Sequence, residues 1–381
     1  MTDLPIIQTD LPPDFIDLGI GNPDMALLPV ELLHGSAEMY FTTGDPRPLQ
    51  YGIEQGDGYF RRALANFLAK SYAFQVDPDL LFVTTGASTA LDLICTFYTQ
   101  PGDLIFVEEP TYFLALRIFA DRGLRVITIP MDDGGLQVDV LEQKLTKYHP
   151  KFIYTIPTFQ NPSGRTLSQA RREQLVELAQ GYNFLVVADE VYHFLPYTSK
   201  PPPPLAVYGE QVEQIISVNS FSKILAPGLR LGWIEGHKRV IERLAGSGLL
   251  DSGGGMNPFT SALVLGLIES GGLEQNIAAL REEYGDRLRA LDAALREHLP
   301  LAQYKLPGGG FFIWVRLAGV DAAELHHRAQ EFQVGLRQGA LFSSQAGMQD
   351  YLRLSFCFYS PGLIEEGVKR LRDCLATYEA D

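Results

Sequence analysis

The sequence is poor in cysteine and in basic charge, and it has no long apolar run. Three cysteines, Cys95, Cys357 and Cys374, stand among 381 residues with neither a CxxC pair nor metal-ligand spacing. A disulfide framework and a structural zinc site are therefore not what organises the fold, and reduced thiols in a cytoplasm are the expectation. Acids outnumber bases 46 to 31, a formal net charge of −15, so the overall field repels nucleic acid and anionic membranes. Local binding of a small anion stays open. No stretch approaches the roughly 18 consecutive apolar residues that a membrane span requires. The N-terminus, MTDLPIIQTDLPPDF, is acidic and proline-bearing and lacks the apolar core of a secretion signal, so a soluble cytoplasmic protein is expected. Two nucleotide fingerprints are also missing: there is no GxxxxGK[ST], and no GxGxxG follows a strand-like run. The second absence speaks against a nicotinamide oxidoreductase.

What is present reads as an ordinary globular chain, 46% hydrophobic and 20% charged, long enough for about two domains. From residue 80 a short apolar run, a turn and a helical stretch recur. The runs are LFVTT (81–85), LIFV (104–107), RVITIP (125–130), FIYTI (152–156), FLVVA (184–188), IISV (215–218) and LGWIE (231–235). Continuous apolar runs alternating with amphipathic segments predict strands buried on both faces, hence a mainly parallel seven-stranded sheet flanked by helices. STALDLICTFYTQ (88–100) and SQARREQLVELAQGY (168–182) are helix candidates; the latter sets Leu175, Val176 and Leu178 among charges at helical spacing. In the last third a long amphipathic helix is predicted over 277–299, followed by PGGGFFIWVRL (307–317) and mixed α+β segments. The fold class is therefore α/β, with a large domain over 45–285 and a smaller α+β domain combining 1–44 with 286–381. KPPPPLAVY (200–208) reads as a stiff surface loop rather than a recognition site.

In a parallel α/β sheet, ligands bind beyond the carboxyl ends of the strands, so the residues that follow each run are the candidates. After LFVTT come Gly86, Ala87, Ser88 and Thr89, a Gly turn into a helix N-terminus that suits a phosphate, although Ser88 is equally a good N-cap. After FIYTI comes PTFQNPSGRTLS, with Asn161 in a turn-forming sequence; after FLVVA come Asp189, Glu190, Val191 and Tyr192. An acid at the end of a buried strand is costly without a cationic or protonated partner. After IISV comes NSFSKILAPGLRLGW, which carries Ser220, Ser222, Lys223 and Arg230. Each residue alone has a structural explanation; together, at successive strand ends, they point to one site.

This combination resembles the fold-type-I pyridoxal-phosphate enzymes, and within them the class I/II aminotransferases. The resemblance runs from DLGIGNPD (17–24) to LRLSF (352–356), and LQYG (49–52) with SFSKILAPGLRLGW suggests the branch of 2-aminoadipate and kynurenine aminotransferases and the effector domains of related transcriptional regulators. It implies a pyridoxal 5'-phosphate cofactor and a role for each position. Lys223 would form the Schiff base with the cofactor aldehyde and afterwards carry the proton between Cα and C4′. Asp189 would face the pyridine nitrogen. Asn161 and Tyr192 would bond the phenolic oxygen, and Tyr112 in EEPTYF would stack on the ring. Ser220, Ser222 and Arg230, with the backbone at Ala87 and Ser88, would hold the phosphate. Tyr51 would reach the phosphate of a neighbouring subunit, implying a homodimer with shared sites. Arg353 would bind the substrate α-carboxylate bidentately, with Gly21 allowing close approach.

The expected reaction moves the amino group of an L-amino acid to a 2-oxo acid, 2-oxoglutarate in the first instance. A β-eliminating lyase on the same scaffold and a non-catalytic ligand-sensing module are the alternatives. The chain departs from the family pattern at RQGALF (337–342), where a Pro-Gly pair is common, and in the glycine run 253–255 of DSGGGMNPF, expected to be flexible. Arg316 and Arg337 could serve an acidic side chain, but structural or exposed roles fit them better.

Overall fold

The computed structural model describes residues 7–9 and 11–378; most of the acidic first ten residues lie outside the described residues. The strands, in chain order, begin with β1 (Ile16–Asp17), β2 (Leu81–Thr84), β3 (Leu104–Glu109), β4 (Arg125–Asp132), β5 (Gly135–Leu136), β6 (Phe152–Thr155) and β7 (Leu185–Asp189). They continue with β8 (Ile215–Ser220), β9 (Gly232–Gly236), β10 (Gln303–Tyr304), β11 (Phe312–Arg316), β12 (Val334–Gly335), β13 (Arg337–Gln338) and β14 (Tyr351–Ser355).

All seven predicted strands form, and they join in the order β2-β9-β8-β7-β6-β3-β4-β5. The sheet thus has eight strands rather than seven. The extra one, β5, is a two-residue antiparallel return after β4, too short to register as an apolar run. The centre, β8-β7-β6-β3-β4, is wholly parallel. Every residue of β2, β6, β8 and β9 is buried, which is why these strands read as unbroken apolar runs rather than alternating ones.

One topological detail positions the site. β9 lies antiparallel between β8 and β2, so β2 again points the same way as the parallel centre. The turn after β2 and the entry into β9 therefore emerge at the same edge as the ends of β6, β7 and β8.

The helices follow from local signals. The helix Gln169–Tyr182 starts at Ser168, whose side chain accepts from the Arg171 amide, and stops at Asn183 in the left-handed region. Its buried face includes Leu175, Val176 and also Arg172, a charge that the apolar spacing does not reveal. Arg172 is satisfied by the carbonyl of Pro157 at 2.7 Å, Thr158 Oγ1 at 2.8 Å and an ion pair with Glu190 at 3.7 Å. It ties the helix to two strand ends at once. The long helix predicted over 277–299 begins earlier and spans Gly272–His298, packing on the C-terminal helix Pro361–Tyr378. The proline run is less exposed than expected. Pro201 and Pro204 are buried, and the following Leu205 amide donates to Glu190 Oε1 at 2.8 Å.

A second sheet, β10-β11-β14-β13, is antiparallel throughout. It sets Arg353 of β14 between Trp314 of β11 and Arg337 of β13. Near the N-terminus, β1 pairs in parallel with β12, which carries the segment Leu18–Gly21 toward β14: the Leu18 carbonyl accepts from the Ser355 amide at 2.6 Å.

Candidate active site

Lys223 lies just beyond the end of β8, where the chain turns back toward β9. Its Nζ donates to the Gly21 carbonyl at 2.8 Å and stands 5.3 Å from the Phe311 ring centroid. Burial lowers its pKa; Arg353 and Arg230 act in the same direction, while Cys357 and Asp189 oppose. The amine is therefore more readily deprotonated than an exposed lysine, as proton transfer requires.

Asp189 ends β7 and is buried. Its Oδ2 accepts from Tyr154 Oη at 2.8 Å, and the Val191 amide approaches the carboxylate. Oδ1 has no partner at hydrogen-bonding geometry among the described residues. Burial pushes its pKa up to about 6, against the lowering effect of Tyr154, the Val191 amide and Lys223. A buried carboxylate oxygen left unpaired among the described residues has the chemistry to receive a protonated ring nitrogen.

Arg353 is the third centre. Nη1 donates to Asn161 Oδ1 at 3.0 Å and Nη2 to the Gly19 carbonyl at 2.7 Å, with Nε left without a partner among the described residues. Its guanidinium lies over the Phe312 ring at 3.9 Å and 5.1 Å from that of Phe342. Burial lowers its pKa to about 10, so the site holds a cation with no counter-charge bonded to it, suited to an incoming carboxylate.

Asn161 and Tyr192 are both buried beside these groups, Tyr192 edge-on to Phe311 and Phe312 at 5.5 and 6.1 Å. Tyr112 caps the helix Phe113–Asp121 and is half-buried, its phenol pushed up to about 12 by burial and by the Asp189 charge, against Arg353. Gly21 faces the crowded side, where a Cβ would come within 2.9 Å of Phe312.

At the neighbouring edge, the helix Ala87–Tyr98 is capped by Gly86 at φ 101°, not by Ser88, and Gly86 offers no side-chain acceptor. The Ala87 and Ser88 amides, in the first helical turn, thus have no intrahelical acceptor. A Cβ on Gly86 would meet Arg230 Nη2 at 3.0 Å. Arg230, at φ 47°, reaches across to the Thr85 carbonyl at 3.1 Å. Ser220 and Ser222 are bonded to each other at 2.9 Å. Hydroxyls, free amides and a guanidinium thus border one cradle, which fits a phosphate.

Tyr51 is not brought to this cradle by its own chain. It is 80% exposed; its apolar chain neighbours Leu49 and Ile53, and Val30, Met39 and Phe41 of the preceding α-helix, are exposed too. The adjacent Gly52 bridges to Gly255 of the glycine run, whose amide donates to the Gly52 carbonyl at 2.7 Å. Arg316 is partly exposed and paired with Asp350 at 2.6 Å, and Arg337 is paired with Asp17 at 3.0 Å. Tyr154, Phe311, Phe312 and Phe342 belong to the site but escaped the sequence reading. The doubled phenylalanine after the glycines of PGGGFFIWV was the one available signal.

Serines, amides and an arginine that suit a phosphate, a buried carboxylate and a buried amine, all at the carboxyl edge of a largely parallel sheet, are the set of groups a pyridoxal-phosphate enzyme needs. The model of the aminotransferase class I and II family matches residues 13–371, and the chain belongs to that family. It is similar to aromatic-amino-acid aminotransferase 1 of Thermococcus litoralis, 34% identical over 98% of this chain and 90% of that one. Among solved structures it is similar to the Pyrococcus horikoshii kynurenine aminotransferase at 33% identity and TM-score 0.90, covering 96% of this chain and 91% of that one. It is also similar to the Thermus thermophilus α-aminoadipate aminotransferase solved with N-(5'-phosphopyridoxyl)-L-leucine, at 28% identity and TM-score 0.88, covering 97% and 94%. The protein is a pyridoxal-phosphate-dependent transaminase.

Proposed function

We propose that this transaminase acts at the constellation around Lys223, with an L-amino acid as donor and a 2-oxo acid, 2-oxoglutarate foremost, as acceptor. Pyridoxal phosphate, when bound, supplies the aldehyde that takes up the amino group and the ring that accepts electrons from Cα. Lys223 would hold the cofactor, and its Nζ, once free, would carry the proton taken from the donor Cα. Asp189 Oδ1 keeps the ring nitrogen protonated. Asn161 and Tyr192 bond the phenolic oxygen, and Tyr112 covers one face of the ring. Ser220, Ser222, Arg230 and the amides of Ala87 and Ser88 hold the phosphate. Arg353 grips the donor's α-carboxylate, with Gly21 leaving room for the backbone of the donor.

The observation that supports this reading is the buried amine of Lys223, lowered in pKa and within electrostatic reach of both the Asp189 carboxylate and the Arg353 guanidinium. The exposure of Tyr51 together with the apolar Leu49 and Ile53 beside it in the chain supports a homodimer in which that tyrosine enters the partner's site. Two features support a donor with a long apolar or aromatic side chain. Phe312 and Phe342 wall Arg353, and Arg337, the nearest other cation on that sheet, is engaged by Asp17. Of the relatives, the aromatic-amino-acid and kynurenine aminotransferases point the same way, whereas the 2-aminoadipate enzymes take a donor with an acidic side chain. For the domains, we propose a large unit over 45–285 and a smaller one formed by 1–44 with 286–381, in line with the β1–β12 pairing.

A panel of amino donors, each with 2-oxoglutarate or pyruvate, tests the reading by absorbance of the cofactor. Accumulation of the aminated cofactor with aromatic or long-chain donors is expected. Release of a 2-oxo acid and ammonia while the aldehyde form persists would instead identify an elimination reaction.

A further inference from the structure

Among the groups around the site, Tyr154 is unusual in having a polar atom deep in the sheet with a single acceptor. It sits in β6 directly opposite Val187 of β7, on the parallel neighbour strand. Side chains two apart on a strand share a face, so Tyr154 lies diagonal to Asp189, within reach of a long side chain. Its hydroxyl donates to Asp189 Oδ2 at 2.8 Å. The ring is fully buried and held edge-on by Phe119 at 5.4 Å, so the phenol cannot swing away. The other buried carboxyl nearby, Glu108, is occupied by Thr155 Oγ1 at 2.5 Å, the Ile156 amide at 3.1 Å and Gln160 Nε2 at 3.1 Å, and does not compete for the phenol.

A carboxylate has two equivalent oxygens and a broad, two-fold terminal torsion, so it does not choose a direction by itself. One fixed donor removes that freedom. We propose that Tyr154 is a positioning residue for amino transfer: it pins Oδ2 of Asp189, aims Oδ1 at the ring nitrogen of bound cofactor, and keeps the carboxylate ionised. This rests on the reading above that Asp189 meets that nitrogen.

The surroundings make the phenol hard to replace. Burial and the charge of Glu190 both drive Asp189 toward its neutral form, and Lys223 and the Val191 amide oppose them with Tyr154. The other titratable groups facing the pair, the half-buried Tyr112 and the buried Tyr192 and Glu108, are themselves pushed toward neutrality by burial. None offers Asp189 a second hydroxyl donor among the described hydrogen bonds. A neutral Asp189 could no longer stabilise a protonated ring nitrogen, and the ring would withdraw electrons less strongly.

The test uses holoenzyme loaded with cofactor labelled with 15N in the ring, comparing wild type with Tyr154→Phe by solid-state NMR between pH 6 and 9. Wild type should keep the ring nitrogen in the pyridinium range. The variant should shift toward the neutral pyridine range at the acidic end, where its Asp189 takes up a proton, release cofactor about tenfold faster on dialysis, and lose about tenfold or more in kcat with less change in KM. A ring nitrogen that stays protonated in the variant, with unchanged cofactor release, overturns the role of Tyr154. A neutral nitrogen in wild type overturns the reading of Asp189 itself, a separate outcome. Incorporation of 3-fluorotyrosine at position 154 preserves packing and strengthens the donor, so it should keep Asp189 ionised, and the nitrogen protonated, to lower pH than wild type. No change there also counts against the proposal.

Discussion

Replacing Arg353 by lysine keeps the positive charge and removes the planar fork, which separates the two things the residue supplies. In the fold the guanidinium is committed on two sides, to Asn161 Oδ1 at 3.0 Å and the Gly19 carbonyl at 2.7 Å, while its face packs on Phe312 at 3.9 Å. A lysine amine is a point donor on a flexible stem, and it can neither lie flat on Phe312 nor bond a carboxylate with two parallel arms. Losing one charge-assisted hydrogen bond costs about 1.5–3 kcal/mol. At roughly 1.4 kcal/mol per factor of ten, kcat/KM for amino acids should fall about 10- to 150-fold, mostly through KM. Arg353→Ala, losing both arms and the charge, should cost about 3–5 kcal/mol, or roughly 10²- to 10⁴-fold. The assay is the single-turnover half-reaction followed by cofactor absorbance, run with an amino acid and with the matching amine that lacks the α-carboxylate. The penalty should vanish for the amine. An Arg353→Lys enzyme within twofold of wild type, or one equally slowed toward both donors, would refute the assignment of the carboxylate to this residue.

Three further expectations follow from the same geometry. Lys223→Ala should abolish borohydride labelling of the chain and slow transamination by at least about 10²- to 10⁴-fold, the usual worth of a positioned acid–base group; mass spectrometry of the trapped adduct locates the site. Arg230→Ala should weaken cofactor retention by about 1.5–3 kcal/mol, measured as the dissociation constant in equilibrium dialysis, while leaving the melting temperature of the cofactor-free protein nearly unchanged. Glu235, whose Oε1 accepts from Tyr72 Oη and Trp233 Nε1 at 2.9 Å each, is raised by burial from 4.5 to about 7. Its folded pKa exceeds the unfolded one, so the native state binds more protons between those values and stability falls as pH rises through that window. Glu235→Gln, which keeps an acceptor for both donors, should therefore be more stable than wild type at pH 8 by up to about 3 kcal/mol. The gap should close as the pH falls toward 4.5 in denaturant titrations.

The large sheet was legible because its strands are buried on both faces, and burial of that kind leaves unbroken apolar runs. The chemistry at their ends was legible for the same reason: Asp189 and Lys223 break those runs where a core would not tolerate a charge. What the sequence hid depends on register and distance. FIYTI reads as core, and only the pairing of Tyr154 with Val187 brings its hydroxyl to Asp189. Phe342 meets Arg353 because separate segments of the chain converge on it, which no local pattern encodes. Arg172 likewise looked like one more surface charge on a helix, although it is buried among the strand ends and paired with Glu190. Tyr51 marks a different limit, since an exposed side chain in one chain does not reveal what covers it.

The antiparallel β9 between β8 and β2 has a consequence for the order of events during folding. The Ala87 turn and Arg230 lie far apart in the chain, and they meet only when β9 has docked against both neighbours. Contacts at such separation form late, because loop closure must precede them. If that edge holds the cofactor phosphate as proposed, a chain with an unfinished sheet has no place for it, and loading becomes a checkpoint on completion of the large sheet. Added cofactor should leave the early refolding phases untouched and slow only the unfolding of the finished protein.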